Sequence, residues 1–194
     1  MKVKTLLIIT VGLLFLQATN LQAQSFRLKE YKMTVKGTSS LHDWESEVEK
    51  VECKGSYTLV GDQLADVKDV VVRIPVTSIK STKGKMMDNK TYDAFNYEKH
   101  PYIIFTLNTK KISKENSTMD LNGVLTMAGA SKAIDVKLNF KILPGGELKI
   151  TGSENLIMTH FKMEPPTAMM GTIKVGDEVV ITFDMTLTTN NSNL

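Results

Sequence analysis

Cysteine is almost missing from this sequence. Cys53 is alone, so no intrachain disulfide can form, and the fold must rest on its core and its hydrogen-bonded ladders. Arginine is nearly as scarce: only Arg27 and Arg73 are present, and the lysines are scattered among acids. A surface that tracks nucleic-acid phosphates needs clustered Lys and Arg, so nucleic acid is not expected as a partner. The three histidines, His42, His100 and His160, are far apart and form no H-x-H or H-E-x-x-H pattern, so no metal site is expected. No G-x-S-x-G elbow is present either.

Long apolar runs are also lacking. The longest, "TLLIITVGLLFL" (Thr5 to Leu16), follows a short basic start and is too short to span a bilayer. With Ala23 as a small residue at a plausible cleavage point, residues 1–23 are read as a secretory signal, which predicts a periplasmic or secreted product. No cysteine stands immediately after the cleavage point to carry a lipid anchor. The formal net charge of +3 rests largely on Lys2 and Lys4 inside this leader, so the remaining chain is close to neutral. Residues 24–189 are then one domain of ordinary size, and 190–194 a polar tail.

What the sequence has in abundance is alternation. "AIDVKLNFKI" puts Ile134, Val136, Leu138, Phe140 and Ile142 on one face and Asp135, Lys137, Asn139 and Lys141 on the other. A helix would scatter these positions, whereas a strand sorts them. "DEVVITFDMTLT", "TMDLNGVLTM", "VECKGSYTLV", "VVVRIPV" and "PYIIFTL" repeat the pattern. Weaker strands are predicted over Phe26–Lys36, Trp44–Lys50 and Asn155–Met163, giving about eight or nine in all. Turn signals fall at Gly61-Asp62, Lys114-Glu115-Asn116, Gly129-Ala130, Pro144-Gly145-Gly146 and Gly176-Asp177. The class is all-β and antiparallel, with one face of the sheet wet. Closure into a barrel of about eight strands would remove exposed edges and enclose a small ligand. An open sandwich fits the same alternation.

Ser78 to Pro101 breaks this rhythm. Met87, Thr91 and Phe95 lie four apart, which predicts one short helix there, capping an open end. The stretch "GTSSLHDWESEV" (Gly37–Val48) holds the ingredients of a hydrolase, but acid, base and nucleophile must converge in space. On an extended chain His42 and Asp43 point to opposite faces. Small hydroxyl and Asx side chains cap turns through local backbone bonds, so the stretch reads as a corner. It would deliver Trp44 into a strand, its ring plugging a barrel end and its N–H seeking a carbonyl. Ten of the 11 methionines follow the leader, most of them on strands or in the two longest interruptions. Such unbranched, polarizable side chains either fill a core or mould around a flexible apolar guest.

In order, "GTSSLHDWESEV", "VRIPVTSIKS", "MMDNKTYDAFNYEKHPYIIFTL", "LNGVLTMAGASKAIDVKLNF" and "VGDEVVITFDMTLT" resemble the YceI-like family of exported bacterial proteins, from about Ser25 to Thr188. The resemblance implies a lipocalin-like antiparallel β-barrel with a long apolar cavity that binds a polyisoprenoid, a fatty-acyl chain or another long-chain amphiphile. It implies no catalytic constellation and no cofactor beyond such a lipid. Through strand phase it makes Ile103 and Phe105, Leu125 and Met127, Val136, Leu138 and Phe140, and Ile181 and Phe183 candidates for the cavity wall. Phe95, Met86 and Met87 are candidates for the mouth or lid, and His42 beside Trp44 for contact with a head group. Two other functions compete: an enzyme acting on a hydrophobic substrate, and a filled barrel with a structural or protein-partner role. Nothing in the sequence signals an oligomeric state.

Overall fold

The computed structural model describes residues 23–189. The expected signal, apart from Ala23, and the polar tail lie outside the described residues.

Alternating side chains produce the strands β1 (Gln24–Ser39), β2 (Trp44–Val48), β3 (Glu52–Val60), β4 (Gln63–Pro75) and β5 (Ile79–Ser81). After the helix α1 (Lys85–Phe95) come β6 (Tyr102–Ser113), β7 (Thr118–Met127), β8 (Ala130–Ile142), β9 (Leu148–Ile157), β10 (Thr167–Ala168) and β11 (Ile173–Thr189). Eight of them close a ring of antiparallel neighbours, β1-β3-β4-β6-β7-β8-β9-β11 and back to β1. The closing ladder runs from Phe26↔Thr189 to Ser39↔Val175. The sandwich alternative is therefore set aside, and the all-β, lipocalin-like barrel holds.

The strands beyond those expected are the short β5 and β10, and two staves are interrupted. β1 pairs with β3 through Gln24–Arg27 and with β2 through Thr34–Gly37, so β2 and β3 form one bent stave. β4 and β5 form another, broken by a 3-10 turn at Val76–Ser78 whose Ser78 Oγ donates to the carbonyls of Pro75 and Lys50. Two ladders also end early. β8 and β9 pair only between Leu138↔Gly152 and Ile142↔Leu148, and β4 and β6 only between Val71↔Thr106 and Pro75↔Tyr102. An ion pair from Lys110 to Asp66, 2.7 Å, spans the second gap.

Two sequence expectations are corrected. The predicted strand Asn155–Met163 starts earlier, at Leu148, and stops at Ile157, where a 3-10 turn (Met158–Phe161) follows. The Asp177 carboxylate accepts both the Thr159 N–H and its hydroxyl, which holds that turn closed. Gly176-Asp177 is no turn but lies within β11, where the register against β1 slips between Gly37↔Val179 and Ser39↔Val175. A Cβ at Gly176 would meet Thr38 Oγ1 at 2.5 Å, so this glycine serves close approach within a ladder rather than reversal.

α1 is the only α-helix among the described residues and falls inside the predicted excursion. It ends at Asn96, whose left-handed conformation (φ 50°) suits a C-terminal cap. Its buried side is Asp88, Tyr92 and Phe95, four and three residues apart. Asp88 Oδ1 accepts the Ser81 N–H at 2.7 Å and its other oxygen lies 3.7 Å from Lys80 Nζ. Tyr92 Oη donates to the Thr77 carbonyl and accepts from Lys80. These bonds pin the helix to β5 at one end of the barrel. At the other end Phe26, Tyr57, Leu64 and Leu148 form a packed floor, with Tyr57 Oη donating to the Gly146 carbonyl at 2.7 Å.

Candidate functional site: an apolar cavity within the barrel

The inward phase of the strands does not fill the barrel. It encloses a cavity of about 590 Å³ that reaches from the floor to the α1 end, within the range of about 300–1,000 Å³ typical of ligand pockets. The deep half is walled by apolar side chains such as Phe26, Val67, Leu121, Leu138 and Leu187, with the Cys53 thiol among them. Burial pushes that thiol up to about 12, so it behaves as a small hydrophobe. Polar lining groups gather in the other half: Ser39, His42, Lys83, Lys90 and Thr167 around the mouth, Ser46 and Ser81 on β2 and β5, and Glu154 on β9. Leu41 and Met86 line the cavity and are also 65% and 77% exposed, so this end opens to solvent.

Why the barrel stays hollow is visible in four cross-strand pairs. A Cβ at Gly37 would meet the Trp44 ring at 2.5 Å, at Gly55 the Phe26 ring at 2.8 Å, and at Gly123 and Gly152 the Phe105 and Phe183 rings at 2.4 Å. All four aromatic residues line the cavity. Each ring therefore lies flat over a glycine of the neighbouring strand instead of standing across the lumen. Large residues cover wall area while occupying little of the interior.

Methionine supplies much of the rest. Met33, Met119, Met127, Met158, Met163 and Met185 line the walls, and Met86 and Met87 come from α1. Met169 and Met170 sit in the loop between β10 and β11, next to the lining residues Thr167, Ala168 and Ile173. Eight of the ten methionines among the described residues thus line the cavity, while Met169 and Met170 stand in solvent outside its wall. Unbranched thioether side chains repack at little cost, which makes the wall adaptable.

The structure brings most of the sequence candidates together. Ile103 and Phe105 (β6), Leu125 and Met127 (β7), Val136 and Leu138 (β8), and Ile181 and Phe183 (β11) line the cavity. So do Phe95, Met86 and Met87 from α1, and His42 with Trp44. Phe140 does not. It has the inward phase, but it lies near the end of β8 opposite Ile150 and is buried in the floor cluster, below the open space. Met33 and Val35 of β1, Val70, Val72 and Ile74 of β4 and Leu156 of β9 were missed as lining, although the same period of two marks them. Glu154 was missed because it is acidic. Its phase with Ile150 and Leu156 was the available signal. Burial, with a smaller contribution from Asp135, holds its carboxyl above the usual carboxylate range.

The Gly37–Val48 stretch is a corner in atomic detail. Ser39 Oγ donates to the His42 carbonyl at 2.7 Å and accepts the N–H groups of Leu41 and His42. Trp44 Nε1 donates to the Thr38 carbonyl at 3.0 Å, the partner its indole was expected to find. His42 Nδ1 lies 2.7 Å from the Asp43 carbonyl oxygen, so Nδ1 carries a proton, and in the neutral ring Nε2 is an acceptor. Hydroxyl and imidazole are thus each engaged by backbone carbonyls rather than by one another, and they do not form a relay. Among the described residues no three His, Cys, Asp or Glu side chains cluster to hold a metal ion. No helix among them is long and apolar enough to cross a membrane.

A closed antiparallel ring around an apolar hollow, entered at one end beside a single helix, defines a lipocalin-like cavity barrel. The chain belongs to the YceI-like domain family, whose model matches residues 17–187. Solved structures share the fold. BcnA of Burkholderia cenocepacia is 17% identical with a TM-score of 0.65, over 82% of this chain and 96% of that one. A polyisoprenoid binding domain from Saccharophagus degradans, implicated in plant cell wall breakdown, is 11% identical with a TM-score of 0.66, over 87% and 99%. The YceI protein of Campylobacter jejuni is 18% identical with a TM-score of 0.54, over 88% and 86%. No curated protein sequence matches the chain.

Proposed function

We propose that this protein is an exported binding protein that holds the apolar tail of an isoprenoid or another long-chain amphiphile inside the barrel, with its head group at the mouth. The observation that carries the reading is the division of the cavity, apolar throughout its deep half and polar only toward the opening. Such a division matches an amphiphile entering tail first. Burial of guest surface would supply the affinity, at roughly 25 cal/mol per Å² before the costs of ordering are subtracted. The polyisoprenoid-binding fold relative supports the choice of guest class. The basic start and the apolar run of residues 1–23 support export to the periplasm or beyond. Binding rather than catalysis is also the reading that suits His42, whose ring is held by the corner and offers Nε2 as an acceptor to a head group.

Native mass spectrometry of the gently purified protein tests this directly. A co-purified long-chain lipid, or uptake of an offered polyprenol or fatty acid in a one-to-one complex, is the expected result. Leu138→Asp, checked for retained β structure by circular dichroism, is expected to abolish uptake. Protein that arrives without lipid and takes up none of those offered would overturn the reading.

A further inference from the structure

The apolar surface of the molecule is unevenly placed. Leu41, Met86, Met169 and Met170 are 65%, 77%, 73% and 108% exposed. The other large exposed hydrophobics among the described residues, Val60, Val71 and Tyr102, are at most half exposed. The four strongly exposed side chains come from three separate elements: the β1–β2 corner, the first turn of α1 and the β10–β11 loop. Those are the elements that frame the mouth, since Leu41, Met86, Thr167 and Ala168 all line it. Met169 and Met170 also hold left-handed backbone (φ 50° and 54°), a conformation that favours Gly or Asn. Two methionines standing there in solvent call for an apolar neighbour outside the chain.

Charge narrows the neighbour. Lys83 and Lys90 are exposed, line the same mouth and have no ion-pair partner among the described residues; Lys85, in the same turn as Met86, is likewise unpaired. The one acid lining the cavity, Glu154, lies deeper on the wall, opposite Ile181 in the ladder. Apolar tips flanked on the α1 side by unpaired lysines match the acyl boundary and head-group phosphates of an anionic bilayer. We propose that the mouth of the barrel docks on the surface of a membrane containing anionic lipid. Leu41, Met86 and the Met169–Met170 tip enter the acyl boundary, Lys83 and Lys90 meet the phosphates, and the cavity opens against the bilayer. A guest could then pass between membrane and barrel without crossing water. The docking goes beyond ligand binding in the cavity and can be measured without it.

Flotation with phosphatidylglycerol-containing vesicles and with pure phosphatidylcholine vesicles provides the test. Binding is expected on the anionic vesicles and is expected to weaken as salt is raised. The double change Met169→Asp and Met170→Asp, at residues outside the cavity wall, should lower vesicle binding by about tenfold or more. Uptake of a fluorescent long-chain fatty acid by the same variant, in solution without vesicles, should be unchanged. Lys83→Glu with Lys90→Glu should lower anionic-vesicle binding by about tenfold or more. No binding at low salt, or binding indifferent to the methionine changes, overturns the proposal. So does a wild-type dimer that those changes split into monomers, because a second copy would then cover the patch. Vesicle binding with no fatty-acid uptake by any form would leave the docking standing and defeat the lipid-binding reading instead.

Discussion

A hydrogen atom as a side chain is what lets an aromatic ring lie against the barrel wall. At Gly152 the nearest atom to a built Cβ is the Phe183 ring at 2.4 Å, well inside contact distance. Gly152→Ala must therefore tilt that ring toward the lumen. We expect a loss of stability of about 1–3 kcal/mol, as for overpacking, together with a lower capacity for long guests. Thermal melts and titration with a chain-length series check both effects. These pairs were not legible in the sequence, since Gly152 and Phe183 are far apart in it and only the β9–β11 register joins them. Gly37 and Trp44 stand in one corner motif, and even there the contact needed the ladder.

Glu154 offers a second residue-scale prediction. Its carboxyl binds a proton more tightly folded than unfolded, so the folded state is penalised once the group ionises. The stability associated with the protonated form is present below the ordinary value of 4.5 and is lost as pH rises through the raised folded value. Glu154→Gln is therefore expected to melt with wild type at about pH 4 and above it at neutral pH. Melts across that range test the sign; a variant less stable at neutral pH would contradict it.

Among the elements, α1 is the piece most dependent on a few polar bonds. Asp88 is buried, and its oxygens serve the Ser81 N–H and Lys80. Asp88→Ala leaves that N–H without its partner, at a cost of about 1–3 kcal/mol. Hydrogen exchange should then quicken over 85–95 while the β7–β8 amides stay protected. Uniform acceleration across the barrel would show that the helix is not a separate unit. The helix and its cavity-facing side were readable from Met87, Thr91 and Phe95, but its buried side with Asp88 and Tyr92 was not. Met87 and Thr91 turn to the cavity while Asp88, Tyr92 and Phe95 are buried, and Phe95 alone serves both sides. Strands with unbroken alternation, such as β7, β8 and β11 beyond Asp177, were legible for the same reason that they are regular. β9 was misplaced because Gly152 and Glu154 stand at inward positions where an apolar residue was sought.

At the scale of the whole molecule, alternation gave inward and outward faces but could not separate a barrel from a sandwich. That distinction lives in the β1–β11 ladder, whose partners lie at opposite ends of the domain. The hollow was less legible still. It depends on how far rings stand from the wall, and Phe140 shows the limit: the same phase as Leu138, but buried in the floor. Family resemblance supplied the cavity where periodicity could not.

A hollow of about 590 Å³ has one more consequence, which concerns compression rather than binding. Most protein interiors are close-packed and yield little under pressure, and the volume lost on unfolding scales with internal void. This barrel departs from that rule by construction, because its rings lie flat and eight flexible methionines share its wall. Delipidated protein should therefore unfold at lower hydrostatic pressure than lipid-loaded protein, by more than their melting temperatures would suggest. High-pressure fluorescence of Trp44, the only tryptophan, would report the difference from the mouth of the cavity itself.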